Sequence, residues 1–411
     1  MASERGAALL RPPTSSGRAT FLELFFDLAF VVALTRVSQR FADLNDDTGW
    51  ALVEGFGRTL LLFLALWLIW SHTTWITSRY EPEQPVIQAV VVGTMFAGLV
   101  MAVTLPRAME ERALPFAATY VLVMVVRPLV LAAALRGHPR RLVPFRFAVW
   151  AATTAPLWLG GALGPDRLRL PLWAAALAVD YLVWGLGWPL PWLGASKVSR
   201  WRIAGVHLAD RHQQMFLIAL GESILVIGTV FSGTNYSAER AAAFGVAFAT
   251  SALLWRIYFH RAGLLLPEAL GRAGMPGRLG TASGRTHLLL VFSVLVTSVG
   301  YELVIDHPFG PPRPSWLLFV VGGPVLFLVG RMRLEYEIFG RVSRSRMIGV
   351  VALLLITPAL AHRAPMVGLS VVAAVLSLVA LLDALRSRGR PLEVPASPIG
   401  RETSGDRDSE A

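Results

Sequence analysis

Residues 207–230 read HLADRHQQMFLIALGESILVIGTV. The stretch is long and apolar enough to be a membrane-spanning helix, which takes about 20 residues. It nonetheless carries His207, Asp210, Arg211, His212 and Glu222. A charged group at the centre of a bilayer costs roughly 2.5–3.5 kcal/mol on insertion scales. At about 100° per residue, Arg211 and Glu222 share nearly one azimuth, and His207 lies within about 60° of both. The helix therefore has a single polar stripe, which must face other helices or water and not lipid. This predicts an all-α, polytopic transmembrane helix bundle.

Composition agrees. The chain has 411 residues, 55% hydrophobic and 16% charged, with a mean hydropathy of +0.56. Soluble domains carry about 25% charged residues. Thirteen Trp and 21 Phe suit interfacial belts and helix packing. The absence of cysteine excludes disulfides, thiolate metal sites and cysteine nucleophiles. A net charge of +11 would suggest nucleic acid for a soluble protein. Here arginines in loops that set topology account for it, so the expected partner is the lipid bilayer, with no nucleic acid. Residues 1–20 are polar, and the first apolar run holds Glu23 and Asp27, so the first helix is expected to be retained and not cleaved as a signal peptide.

Apolar runs between charged or Pro/Gly-rich breaks predict about twelve spans: 21–41, 49–78, 84–105, 114–135, 142–163, 170–193, 203–231, 240–260, 286–305, 315–330, 347–361 and 365–385. Loop charge tests this count. One set of alternate segments includes the loops with Arg136, Arg140 and Arg141, with Lys197, Arg200 and Arg202, and with Arg341, Arg344 and Arg346. That set holds about three times as many basic residues as the other, which predicts both termini in the cytoplasm and the cytoplasmic membrane as the location. The expected organisation is a cytoplasmic segment 1–20, six-helix halves 21–193 and 203–386, and a disordered cytoplasmic tail 387–411.

The halves show internal similarity. Leu66-Trp67-Leu68-Ile69-Trp70-Ser71-His72 reads against Leu254-Trp255-Arg256-Ile257-Tyr258-Phe259-His260, and residues 26–32 read against 221–227, which sets Asp27 opposite Glu222. An even number of spans per half makes this a parallel 6+6 repeat.

Several further charges lie inside spans. Glu23 and Asp27 are spaced i,i+4 on one face of the first. Glu54, Arg58, His72 and Arg79 fall within about 60° of one another on the second. Arg127 precedes Pro128, whose missing N–H frees a nearby carbonyl. With Arg256 and His260 of the eighth span, the candidate polar core is Glu23, Asp27, Glu54, Arg58, His72, Arg127, His207, Asp210, Arg211, Glu222, Arg256 and His260. These groups are either interhelical ion pairs that fix packing or the lining of a route for protons or small ions. His207, Asp210 and Glu222 lack compact metal-ligand spacing, so no metal and no cofactor are expected. No Gly-rich phosphate loop is present, and Gly221-Glu222-Ser223 has helical apolar flanks unlike a nucleophile elbow, so an enzyme is not expected. Small-residue pairs such as Gly93 with Ala97 read as helix-packing faces.

With these residues in view, the chain resembles the bacterial low-temperature-requirement A family. The likeness rests on Glu23-Leu24-Phe25-Phe26-Asp27-Leu28-Ala29-Phe30-Val31, on His207-Leu208-Ala209-Asp210-Arg211 and on Leu220-Gly221-Glu222-Ser223, with Arg79-Tyr80 after the second span. It spans about residues 20–385, and departs from the family pattern at Asp210, where Glu is usual. The resemblance implies membership and topology more than mechanism. A fainter, fold-level likeness joins Phe25-Phe26-Asp27 and Leu220-Gly221-Glu222 to a duplicated potassium-channel family with a Phe-Ser-Asp first helix. The expected function is movement of a small ion or solute through the charged core. Asp27 and Glu222 would be its pseudo-equivalent carboxylates, Arg58 and Arg211 would balance or gate them, and His72 and His207 would tune protonation. The alternative is a non-transporting scaffold or sensor in cold or envelope adaptation. An intramembrane lipid enzyme would lack a recognisable nucleophile.

Overall fold

The computed structural model describes residues 6–11, 17–191, 193–196, 201 and 203–399. Lys197, Arg200 and Arg202 of the topology argument lie outside them, as do residues 400–411 of the tail. Among the described residues there is no strand, and the helices follow in order: α1 (Phe21–Ala42), α2 (Gly49–Arg79), α3 (Pro85–Thr104), α4 (Ala113–Ala134), α5 (Leu142–Leu163), α6 (Asp166–Leu186), α7 (Gly205–Gly233), α8 (Ala238–Tyr258), α9 (Ala262–Arg272), α10 (Pro276–Asp306), α11 (Leu317–Val320), α12 (Gly322–Phe339), α13 (Arg344–Leu360) and α14 (Pro365–Ser387).

Local chemistry sets several of these boundaries. Thr20 and Glu23 form a capping box at the start of α1: Thr20 N–H donates to Glu23 Oε2 at 2.8 Å, and Glu23 N–H points back at Thr20 Oγ1 at 3.4 Å. Pro85 and Pro365 open α3 and α14, where a missing N–H costs nothing. Ser237 caps α8 by accepting from Arg240 N–H. Gly187 and Gly340 end α6 and α12 in the left-handed conformation that glycine adopts without strain.

Three elements differ from the sequence expectation. The tenth span, expected at 315–330, is broken at Val321, and α12 runs on to Phe339, taking in Arg331 and Arg333, which read as loop residues. The α10 helix begins at Pro276, ten residues before the expected span, because polar residues such as Ser283 continue the helix and are themselves buried. The α9 helix, with an apolar face of Leu265, Leu266, Ala269 and Leu270 turned inward, occupies what read as a loop.

Nine helical segments among the described residues are long and apolar enough to cross a membrane: Gly49–Arg79, Pro85–Arg107, Ala113–Ala134, Pro139–Leu163, Gly205–Gly233, Ala238–Arg272, Pro276–Asp306, Pro314–Phe339 and Pro365–Ser387. Of the other expected spans, α1 carries Glu23, Asp27, Arg36 and Arg40, α6 carries Asp166, Arg167, Arg169 and Asp180, and α13 is 17 residues long. Burial follows an order opposite to that of a soluble protein. On α1, Glu23 and Asp27 are wholly buried while Phe25 and Leu28 are 56% and 62% exposed. Exposed Phe96, Leu122 and Leu355 on other helices extend the pattern. Apolar surface outward and charge inward is the arrangement that a hydrocarbon solvent stabilises. The chain is a multi-pass membrane protein.

Packing divides the chain into two compact units. The first comprises residues 1–37, 54–211 and 275–281, and the second 38–53, 212–274 and 282–411. In the first, α4 packs on α3 and α5, and α5 on α6. Its core is rich in large rings, including Trp70, Trp158, Trp173 and Tyr120. In the second, α14 packs on α8 and α13, and α12 on α9 and α13. The tail segment 388–399 belongs to this unit: Ala396 N–H donates to the Ile338 carbonyl at 2.9 Å.

Candidate functional site

The first unit contains a buried acid–base cluster contributed by α1, α2 and the first turns of α7. Glu23, Asp27, His207 and Arg211 are all 0% exposed. Arg211 Nη2 donates to Asp27 Oδ1 at 2.6 Å, and the Trp70 indole N–H donates to the same oxygen at 2.9 Å. Arg211 Nε lies 3.8 Å from Glu23 Oε1. His207 Nε2 approaches the Glu23 carboxylate at 2.9 Å, and its Nδ1 lies 3.0 Å from Ser78 Oγ.

Hydrogen-bond accounting bears on the protons in this cluster. Ser78 Oγ donates to the Thr74 carbonyl at 2.7 Å. It can therefore accept from His207 Nδ1–H while Nε2–H donates to Glu23, an arrangement that suits an imidazolium. The two carboxylates then face one guanidinium and one imidazolium, and the buried charge balances. Arg11, half-buried and donating to the Thr77 carbonyl at 2.7 Å, adds positive field near Glu23. Asp210 stands at the edge of this group, accepting from Ala19 N–H at 2.8 Å, so it ties the chain ahead of α1 to α7.

The other residues expected in the polar core lie elsewhere. Glu54 and Arg58 pair with each other at 2.6 Å, both half-exposed in the first three turns of α2. They share the azimuth of His72 but not its depth. His72 sits among Phe147 and Trp184, ring centroids 4.7 Å away, with Trp188 beyond. Neither of its ring nitrogens has a hydrogen-bond partner among the described residues. It lines an aromatic cavity of about 50 Å³, together with Trp75, Arg79 and Trp201. Arg127 crosses to α2, where it donates to Thr73 Oγ1 at 2.9 Å and to the Ile69 carbonyl at 3.3 Å. It takes a carbonyl of a neighbouring helix, where the sequence had pointed to one freed by Pro128.

Glu222 lies in the second unit and is wholly buried. Ser298 Oγ donates to its Oε2 at 3.3 Å, and Ser38 Oγ lies 3.2 Å from Ser298 Oγ. Among the described residues no arginine, lysine or histidine stands within ion-pair distance of it, and its Oε1 has no hydrogen-bond partner. Arg256 and His260 pair with each other at 3.1 Å, at and just after the end of α8.

Sequence reading missed other buried polar groups. Asp180 on α6 is 4% exposed and accepts from Tyr120 hydroxyl at 2.8 Å and Thr154 hydroxyl at 2.9 Å. A lone acid inside Leu-Ala-Val-Asp180-Tyr-Leu-Val was the available signal. His287 on α10 stacks on His212 with ring centroids 4.8 Å apart. It accepts from the Tyr258 hydroxyl at Nε2, 2.7 Å away, while Nδ1–H donates to the Ser283 carbonyl. No set of three or more His, Cys, Asp or Glu side chains arranged to hold a metal occurs among the described residues.

The cluster's two carboxylates, His207 and Arg211 come from the two stretches singled out in the sequence, and both stretches lie within the region matched by a family model. The family model for bacterial low temperature requirement A protein matches residues 18–381. An uncharacterized protein of Rhizobium meliloti (strain 1021) is 34% identical over 339 residues, covering 81% of this chain and 80% of that one. No solved structure matches the chain. The match runs from just before the α1 capping box into α14, and on that extent the chain belongs to the bacterial low temperature requirement A family.

Proposed function

We propose that this membrane protein moves protons or small cations, and that Glu222 is the group on which they exchange. The carrying observation is the isolation of that carboxylate. It is wholly buried on a membrane helix, hydroxyl oxygens of Ser298 and Ser38 stand beside it, and among the described residues no side-chain cation stands within ion-pair distance of it. A charge buried without a partner is costly, and a proton or a small cation is what would balance it. Asp27, the pseudo-equivalent carboxylate, has the opposite setting, held by Arg211 and Trp70. Its role in this reading is to fix α1 against α2 and α7 in the first unit. Arg211 balances it, and His207 takes or gives the proton at Glu23.

The same reading takes twelve spans, as two parallel sets of six, with both termini cytoplasmic. The inverted burial on α1, and the exposed Leu182 and Leu186 of α6 and Leu355 of α13, support counting these helices as spans. Asp27 and residues 66–72 lie in the first unit, and Glu222 and residues 254–260 in the second, which suits a duplication.

The test is flux in proteoliposomes of the purified protein with K⁺, Na⁺ and H⁺ gradients imposed in turn. A gradient-dependent flux for one of them is expected and names the ion. Folded protein that passes none of the three would overturn the reading. It would favour a scaffold, a role to which the buried Asp27–Arg211 ion pair is suited.

A further inference from the structure

The ends of α12 and α14, the start of α13 and the turn after α8 enclose an open cleft with about 870 Å³ of empty space, all of it in the second unit. Arginine dominates its lining. Its carboxylates are Glu335, Asp383 and Glu393, and all are engaged. Arg346 pairs with Glu335, and with Asp383 at 2.6 Å. Arg261 pairs with Glu393 Oε1 at 3.2 Å, and Arg341 reaches its other oxygen. That leaves Arg331, Arg344, Arg386 and Arg390 on the cleft with no carboxylate partner among the described residues.

Arg331 is the most telling of these. It is 1% exposed, donates from Nε to the Ile257 carbonyl at 2.9 Å and from Nη2 to the His260 carbonyl. Its Nη1 has no hydrogen-bond partner among the described residues. A guanidinium held by two backbone carbonyls is positioned, and the carboxylates that act on it, Glu335 and Asp383, are both already paired with Arg346. Glu393 has a different origin from the other two carboxylates of the cleft. It comes not from the helices that build the cleft but from the segment after α14, tethered at Ala396 to the end of α12. A carboxylate of the chain's own tail thus occupies two of the cleft's arginines.

We infer that this cleft binds a phosphoryl group, and that Glu393 occupies it when the ligand is absent. Guanidinium groups from separate elements converge on one space, and their planar donor pairs match phosphate oxygens. A phosphate carries more charge than the single carboxylate that it displaces, and the arginines without a carboxylate partner among the described residues fit that difference. A soluble phosphorylated compound and an anionic lipid headgroup share this chemistry.

The experiment is calorimetric titration of the purified full chain with inorganic pyrophosphate. It is run in detergent, then in nanodiscs of phosphatidylcholine alone and of phosphatidylcholine with phosphatidylglycerol. Saturable binding is expected in detergent. Glu393→Gln should tighten it about tenfold by removing the internal competitor, and Arg341→Gln with Arg344→Gln, both exposed, should weaken it about tenfold or more. Arg167→Gln, on α6 and off the cleft, should leave it unchanged. Binding that persists in both nanodiscs assigns the site to a soluble phosphate compound. Binding blocked only by phosphatidylglycerol assigns it to a headgroup. Either result supports the site. No saturable binding by the Glu393→Gln protein, or binding indifferent to the arginine pair, would overturn it.

Discussion

At the scale of single residues, the two carboxylates proposed as pseudo-equivalent, Asp27 and Glu222, should behave differently. Asp27→Asn leaves Arg211 with only the 3.8 Å contact to Glu23 and should cost about 3–5 kcal/mol, read by unfolding in detergent. Glu222→Gln keeps a group able to meet Ser298 and removes no ion pair, so unfolding should shift by about 1 kcal/mol or less. Equal losses in the two variants would contradict the roles assigned to them. The residues of the buried cluster were legible in the sequence, because a charge in an apolar run is conspicuous at any position. Their partners were not. Helical azimuth placed Glu54, Arg58 and His72 on one stripe, but it carries no information on depth, and the pair at the start of α2 is half-exposed while His72 lies among aromatic rings. Asp180 went unnoticed although its apolar flanks resemble those of Glu222. Its hydroxyl partners lie on α4 and α5, and no pattern on α6 announces them.

Helices meet through contacts that a small-residue pattern locates poorly. Gly93 with Ala97 read as a packing face, yet a Cβ at Gly93 would meet nothing within 4 Å. The close approach on α3 is at Gly98, where a Cβ would stand 3.2 Å from the Phe30 ring. In the second unit a Cβ at Gly323 of α12 would stand 2.4 Å from Thr297 Oγ1 and 2.7 Å from its backbone nitrogen on α10. Backbone cannot give way as a side-chain tip does, so Gly323→Ala should destabilise by about 1–3 kcal/mol, while Gly93→Ala should be close to neutral. Thermal unfolding of the two variants side by side checks this. The helices themselves were legible because span length and apolarity are properties of one segment. The early start of α10 and the whole of α9 were hidden because both are amphipathic, and an inward polar residue such as Ser283 looks like a loop residue until its neighbours are known.

For the whole molecule, the twelve-span reading predicts sidedness that the chain's lack of cysteine makes simple to measure. A cysteine placed at Glu111 should react with a membrane-impermeant maleimide on intact cells, and one at Arg140 only after permeabilisation. Both positions are exposed and lie between helices. Labelling of both from one side would break the alternation of basic loops on which that topology rests. Function turns on a different measurement. Ion flux should be followed in matched proteoliposomes of the native chain, Glu222→Gln and Asp27→Asn, each shown to be folded. The account predicts flux in the native protein, none in Glu222→Gln at unchanged stability, and in Asp27→Asn a loss no larger than its loss of folded protein. Full flux in Glu222→Gln would contradict the claim that ions exchange on this carboxylate.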